Sequence, residues 1–166
     1  MSLVTVAIPT PDGVFTATFN ARGLIALSFP AAPASRPKPA AVGTPSASQR
    51  NWLETTRRAL LAVLAGKRPN RLPPLDLTSG TPFQQAVWAA MTAIPAGETR
   101  TYGGIARAIC RPRAVRAVGQ ACGANPVPVL VPCHRVLAAG GRLGGFSGGL
   151  DWKRRLLERE GVIPRA

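Results

Sequence analysis

The stretch LVTVAIPTPDGVFTATFNARGLIALSFP, residues 3–30, constrains the fold most, because apolar or β-branched residues alternate there with small and polar ones in three short runs. A period of two puts one set of side chains on a single face of extended chain. Pro11-Asp12-Gly13 and Ala21-Arg22-Gly23 fall between the runs, where a reversal needs residues of turn type. The pattern predicts three antiparallel strands near 3–8, 14–19 and 24–29.

A loop and then a helix are expected to follow. Residues 31–48 are proline-rich and have no apolar period, so they read as a loop or linker. Ser48 then stands as a cap for a helix over about 49–65, in which Trp52, Leu53, Leu60, Leu61 and Leu64 recur at helical spacing before Gly66 ends it. After the proline-broken stretch 67–80, Thr81 and Pro82 open a second helix with Phe83, Val87, Ala90, Met91 and Ile94 on one face, stopped by Pro95 and Gly97. A boundary near residue 80 would divide the chain into an N-terminal α/β part, 1–80, and a C-terminal part, 81–166. Within the latter, TYGGIARAICRPRAVRAVGQACGAN predicts two short helices, about 101–109 and 113–123, around a tight turn at 110–112, which is helix-turn-helix spacing. A short strand is expected at 129–131. A glycine-rich loop then precedes a last helix over about 150–160, with Trp152, Leu156 and Leu157 inward and Arg154, Arg155 and Arg159 outward.

Charge and cysteine usage narrow the function classes. Lysine and arginine number 21 against 7 acidic residues, a net +14, and the excess runs through both halves, a field that attracts polyanions. No run approaches the ~18 apolar residues of a membrane span, and no secretory leader pattern opens the chain, so a cytoplasmic protein without a membrane partner is expected. Cys110, Cys122 and Cys133 are odd in number and lack CxxC spacing, which argues for reduced thiols rather than a disulfide framework or a zinc site.

Three constellations could carry chemistry. Cys133 adjoins His134, the only histidine. A nucleophile has to be a thiolate, and this imidazole is the one base at hand. Neighbours on a regular strand point to opposite faces, so the pair would need irregular backbone or a bridging water, for which Pro126, Pro128 and Pro132 supply grounds. A buried cysteine beside a satisfied histidine is the other reading. On the second helix of the pair, Arg113, Arg116 and Gln120 share one face, Val115, Val118 and Cys122 another, and Ala114, Ala117, Gly119 and Ala121 are small enough to admit a nucleic-acid backbone; a solvated amphipathic helix fits the same spacing. Third, the glycines of 140–149 around Phe146 and Ser147 match no phosphate loop and form either a flexible turn or a pocket wall that closely approaches a flat base. Glu160 is open between a surface ion pair and a functional acid.

Taken together, NPVPVLVPCHRV (125–136), RAVG (116–119), TYGGIA (101–106) and FSGGLDWKRRLLEREG (146–161) resemble the O6-alkylguanine-DNA alkyltransferases, or methylated-DNA–protein-cysteine methyltransferases, densely over about 80–161 and more loosely before. The resemblance implies an α/β fold: an N-terminal ribonuclease-H-like three-stranded antiparallel sheet with a helix, then a mainly helical C-terminal domain with a winged-helix-like helix-turn-helix and the active cysteine loop. It implies irreversible transfer of the alkyl group of a flipped-out O6-alkylguanine to the protein's own cysteine, once per molecule. Cys133 matches the acceptor, His134 the base acting through a water, and Glu160 the acid that orients it. Asn125 matches the asparagine bracing the active-site turn, and Tyr102 the tyrosine that rotates the nucleotide and donates to the leaving guanine. Arg116 matches the arginine that fills the base stack, with Arg113, Ala117 and Gln120 along the same DNA-facing helix. Val136 and Ser147 match main-chain readers of the guanine, and Pro128 and Phe146 the alkyl wall. The implied partner is double-stranded DNA carrying O6-alkylguanine, bound by a monomer with or without cooperativity along the duplex; no cofactor or metal is expected. Phe146 departs from the tyrosine often found there, and loses its hydroxyl. A non-catalytic DNA-binding module and a cysteine hydrolase are the competing classes; the intact set of five polar residues disfavours the first and the charge disfavours the second.

Overall fold

The computed structural model describes residues 3–31 and 43–165. Its three N-terminal strands, β1 (Val4–Thr10), β2 (Gly13–Phe19) and β3 (Leu24–Ser28), form an antiparallel sheet in the order β1-β2-β3. The alternation sets the register: Ile8 pairs with Phe15 and Val4 with Phe19, so these side chains share the buried face. The loop expected at 31–48 lies, over 32–42, outside the described residues.

Helix α1 (Ala47–Leu64) brings Ala59, Leu60, Val63 and Leu64 into the core. Its cap is Ser46 rather than the expected Ser48. The reason is reciprocal bonding: Gln49 stands three residues after Ser46, so its backbone N–H donates to Ser46 Oγ while the Ser46 N–H donates to the Gln49 carboxamide. Asn51 stands at that offset from Ser48, and no such box forms. Thr81 caps α2 (Pro82–Thr92) by the same device with Gln84, as expected.

Two helices follow at the expected spacing, α3 (Tyr102–Ala108) and α4 (Val115–Gly123). Trp88 of α2 donates its indole N–H to the Ala121 carbonyl at 2.8 Å, and Val118, Ala121 and Cys122 are buried, which anchors α4 by its inner face. Val115 is not on that face as its spacing suggested: at 42% exposure it lies on the outer surface, because α4 begins only there and Ala114 has not yet entered the helix.

The strand expected at 129–131 does not form. Val129 sits at φ 75° and the Val131 N–H bonds back to the Val127 carbonyl at 2.9 Å, so the chain turns on itself. Pro126, Pro128 and Pro132 also lack the N–H groups a ladder needs. A single 3-10 turn (Cys133–Arg135) follows, then β5 (Val136–Leu137), which pairs in parallel with β4 (Arg100–Thr101). That small pairing sets Tyr102 beside the Cys133 turn. Helix α5 (Leu150–Arg159) closes the fold with Leu156 and Leu157 fully buried. The apolar core is continuous from Ile8 to Leu156 across residue 80. Among the described residues, no helix is long and apolar enough to cross a membrane.

Candidate active site

The turn carrying Cys133 is held by buried polar groups. Asn125 donates through Nδ2 to the Val131 carbonyl at 2.8 Å and accepts the Val127 N–H at 3.0 Å, bridging the two ends of the irregular segment. These bonds hold Val129, a β-branched residue, in a left-handed conformation that costs on the order of 1–3 kcal/mol. The irregular backbone that adjacent cysteine and histidine require is therefore present.

Cys133 is 4% exposed. It lines a cavity of about 660 Å³ together with Tyr102, Arg116, Gln120, Phe146 and Ser147. Of the residues given a role by the resemblance, those six meet in the cavity. His134, Glu160 and Asn125 lie buried behind it, Val136 and Pro128 are buried without lining it, and Arg113 and Ala117 stay outside its wall. Val115, Gly119, Cys122 and Gly123 complete the α4 side. A Cβ added at Gly119 or Gly123 would meet nothing within 4 Å, so the chain's own packing does not demand glycine there.

Behind the cysteine, His134 Nε2 is 3.0 Å from Glu160 Oε1. Arg135 donates to the same carboxylate from Nε and Nη2, the latter at 2.7 Å, and from Nη1 to the Ile94 carbonyl. The Glu160 side chain is 1% exposed, which rules out the surface ion pair its position in a basic segment suggested. Burial alone would raise this carboxyl, but the hydrogen bonds from His134 and Arg135 outweigh it and hold it at about 2. Burial also pushes the His134 imidazole below its ordinary value. An ionised Glu160 and a neutral His134 place the ring hydrogen on Nε2, donated to the carboxylate. Nδ1 is then left with a free lone pair, and among the described residues it is the one buried side-chain nitrogen or oxygen without a partner. The site thus contains an oriented base.

The thiol needs one. Burial pushes Cys133 up, opposed by the Asn125 side chain and by the charge of Lys153. Lys153 is 0% exposed; its ammonium donates to the Val136 carbonyl at 2.6 Å and to the Gly145 carbonyl at 3.1 Å, and burial brings it down to about 8. Reasoning from sequence missed Lys153 and Arg135. Lys153 carries a readable signal: it lies between Trp152 and the Leu156–Leu157 pair, on the inward stripe of α5. Cys122, which the spacing puts on a different face of α4 from Arg116, is buried and also lines the cavity, with burial raising its thiol to about 12.

Tyr102 closes the other side. Thr101 caps α3 and orients it. Burial raises its hydroxyl, which remains a donor. Its ring rests so close to Gly144, at φ 66°, that a Cβ there would be 2.8 Å from the hydroxyl; only glycine fits that position.

Comparisons with known proteins agree on one family. Residues 82–162 match the model for the 6-O-methylguanine DNA methyltransferase, DNA binding domain. The methylated-DNA–protein-cysteine methyltransferase of Mycobacterium tuberculosis is 54% identical over 101 residues, 61% of this chain and 61% of that protein, so the matched stretch spans less than two thirds of the relative. Its counterpart from Methanosarcina acetivorans is 56% identical over 120 residues, 67% of this chain and 74% of the relative. Among solved structures, Mycobacterium tuberculosis OGT in complex with DNA superimposes with a TM-score of 0.74 at 37% identity, covering 96% of this chain and 94% of the other. The O6-methylguanine-DNA methyltransferase of Pyrococcus kodakaraensis gives 0.64 at 28% identity, covering 96% and 99%. The α/β architecture, with its three-stranded antiparallel sheet and several helices, is common to them. By these matches, the chain belongs to the methylated-DNA–protein-cysteine methyltransferase family.

Proposed function

We propose that this protein repairs duplex DNA by transferring an alkyl group from O6 of guanine to Sγ of Cys133. One observation carries the reading: Cys133 lies in a cavity rimmed by Arg116 and Gln120 of α4, while the imidazole behind it presents an unpartnered Nδ1. The family names and the DNA complex of the Mycobacterium tuberculosis relative support the same substrate.

The atoms balance as follows. The Cys133 proton passes through a water to His134 Nδ1, and Glu160 stabilises the imidazolium that forms. The sulfur attacks the alkyl carbon, a C–S bond forms, and the C–O6 bond breaks. The Tyr102 hydroxyl gives a proton to the departing base and regains one from the His134 imidazolium through solvent, so neutral, unmodified guanine is restored in the strand. The product thioether, unlike an acyl-enzyme, has no hydrolytic route back; each molecule acts once and needs no cofactor.

The target atom is inside the base stack, so the nucleotide has to rotate out, at about a few kcal/mol. Arg116 fills the vacancy, Arg113, Ala117 and Gln120 face the duplex, and the main chain at Val136 and Ser147 reads the base beside a wall of Pro128 and Phe146. In this reading α3 and α4 act as a helix-turn-helix within a DNA-binding part, 81–166, and the sheet with α1 forms a ribonuclease-H-like part, 1–80. Phosphate contacts supply most of the affinity, which falls steeply with salt. Cys133→Ser tests the proposal: transfer from methylated duplex should vanish while duplex affinity stays within about twofold, since no phosphate contact is lost. Retained transfer would refute it.

A further inference from the structure

The wall of the cavity is not held by the C-terminal half alone. Phe146, which lines the cavity beside Cys133 and Tyr102, sits in a run of glycines, with the Lys153 ammonium 6.0 Å from its ring centroid. Its ring meets Phe29, the residue directly after β3, at 5.6 Å between centroids and 72° between planes, an edge-to-face contact. Phe29 in turn packs at 5.1 Å on Trp152 of α5 and at 5.6 Å on Phe15 of β2. A Cβ at Gly148 would come within 2.6 Å of the Phe29 ring, so the glycine-rich segment is pressed directly onto that side chain. Lys153 fixes the same segment at Gly145, on the polar side. Phe29 does not line the cavity; it stands behind the residue that does.

We propose that Phe29 is a positioning residue through which the N-terminal sheet sets the size of alkyl group accepted at Cys133. This rests on the transfer reaction proposed above. With the Phe29 ring removed, Phe146 can tilt back into the freed volume and the alkyl side of the cavity widens. A small group then sits more loosely against the sulfur, and a bulky one fits more easily. An apolar pocket that gains or loses volume of this order changes discrimination between substrates by roughly 10–200-fold at most.

The test compares the rates at which full-length protein alkylates Cys133 from two duplexes of one sequence, one with O6-methylguanine and one with O6-benzylguanine, so that duplex binding cancels. Phe29→Ala should raise the benzyl-to-methyl rate ratio by about fivefold or more. Leu27→Ala, which removes a core side chain from β3 and leaves the Phe29–Phe146 ring pair in place, should lower thermal stability yet leave the ratio within about twofold. Where Phe29→Ala does not fold, Phe29→Leu keeps the bulk, loses the ring edge, and should shift the ratio in the same direction. An unchanged ratio in the folded Phe29 variant, or an equal shift in Leu27→Ala, overturns the inference. A parent protein that alkylates from neither duplex would instead overturn the reaction itself.

Discussion

The outer face of α4 and the row behind Cys133 both present polar side chains, yet they are built in opposite ways. Arg116 and Gln120 stand at the rim in contact with solvent, with open space above Gly119 and Gly123. The side chains of His134, Glu160, Arg135, Lys153 and Asn125 are buried, and apart from His134 Nδ1 each buried nitrogen or oxygen among them has a hydrogen-bond partner within the chain. The lesson is about consequence: a rim charge contributes to meeting a partner, whereas a buried charge is tied to the fold and the chemistry together.

That contrast can be broken experimentally, starting where the effect is largest. His134→Ala removes the proposed base and should slow transfer by about 10²–10⁴-fold in rapid-quench assays while leaving duplex affinity unchanged; a loss under about tenfold would deny it the role of base. Glu160→Gln leaves the Arg135 guanidinium buried without its counter-charge and should destabilise the fold by about 3–5 kcal/mol in urea unfolding at pH 7. The sign with pH follows from the carboxyl being held at about 2 against an ordinary 4.5. Its stabilising contribution is complete above 4.5 and disappears as pH falls through about 2, so parent and variant should converge over that window.

The imidazole gives a pH test of its own. Burial holds His134 below its ordinary 6.5, so the neutral base persists into mild acid and the acid limb of the transfer rate should have its midpoint below 6.5. A midpoint at or above that value would mean that this ring is not the proton acceptor.

At the rim the expected effects are smaller. Arg116→Ala should slow transfer from duplex by about tenfold, through the lost stack-filling, and leave reaction with free O6-benzylguanine within twofold; equal losses on both would assign Arg116 to the chemistry. Smallest of all, Gly119→Ala meets no atom of the chain and should raise stability by up to about 1 kcal/mol, while weakening duplex affinity by about threefold as the helix backbone is held off. A variant that binds as tightly as the parent would show that the open space is not where the duplex lies.

The same contrast explains what could be read before the structure. The strands, the Thr81 cap and the α3–α4 spacing are local patterns, in which the residue and its cause lie within a few positions. Ser46 was readable too, through Gln49, but Ser48 offered an equally plausible hydroxyl and only the reciprocal bond separates them. The turn at 127–131 looked like a strand because Val, Leu and Val favour one; the Asn125 side chain and the flanking prolines override that preference. The burial of Glu160 depends on Arg135, 25 positions away in sequence, and Lys153 is hidden among neighbouring arginines unless the helical period is followed through it. The Phe29–Phe146 contact joins opposite ends of the chain, and no local pattern contains it.

The most direct measurement is the mass of the Cys133 peptide after incubation with excess duplex containing O6-methylguanine. The mechanism requires that Cys133, and neither Cys122 nor Cys110, gain a single methyl group, with guanine restored in equal amount and the reaction stopping there. An unaltered Cys133 in folded protein, or continued turnover beyond one equivalent, would contradict it.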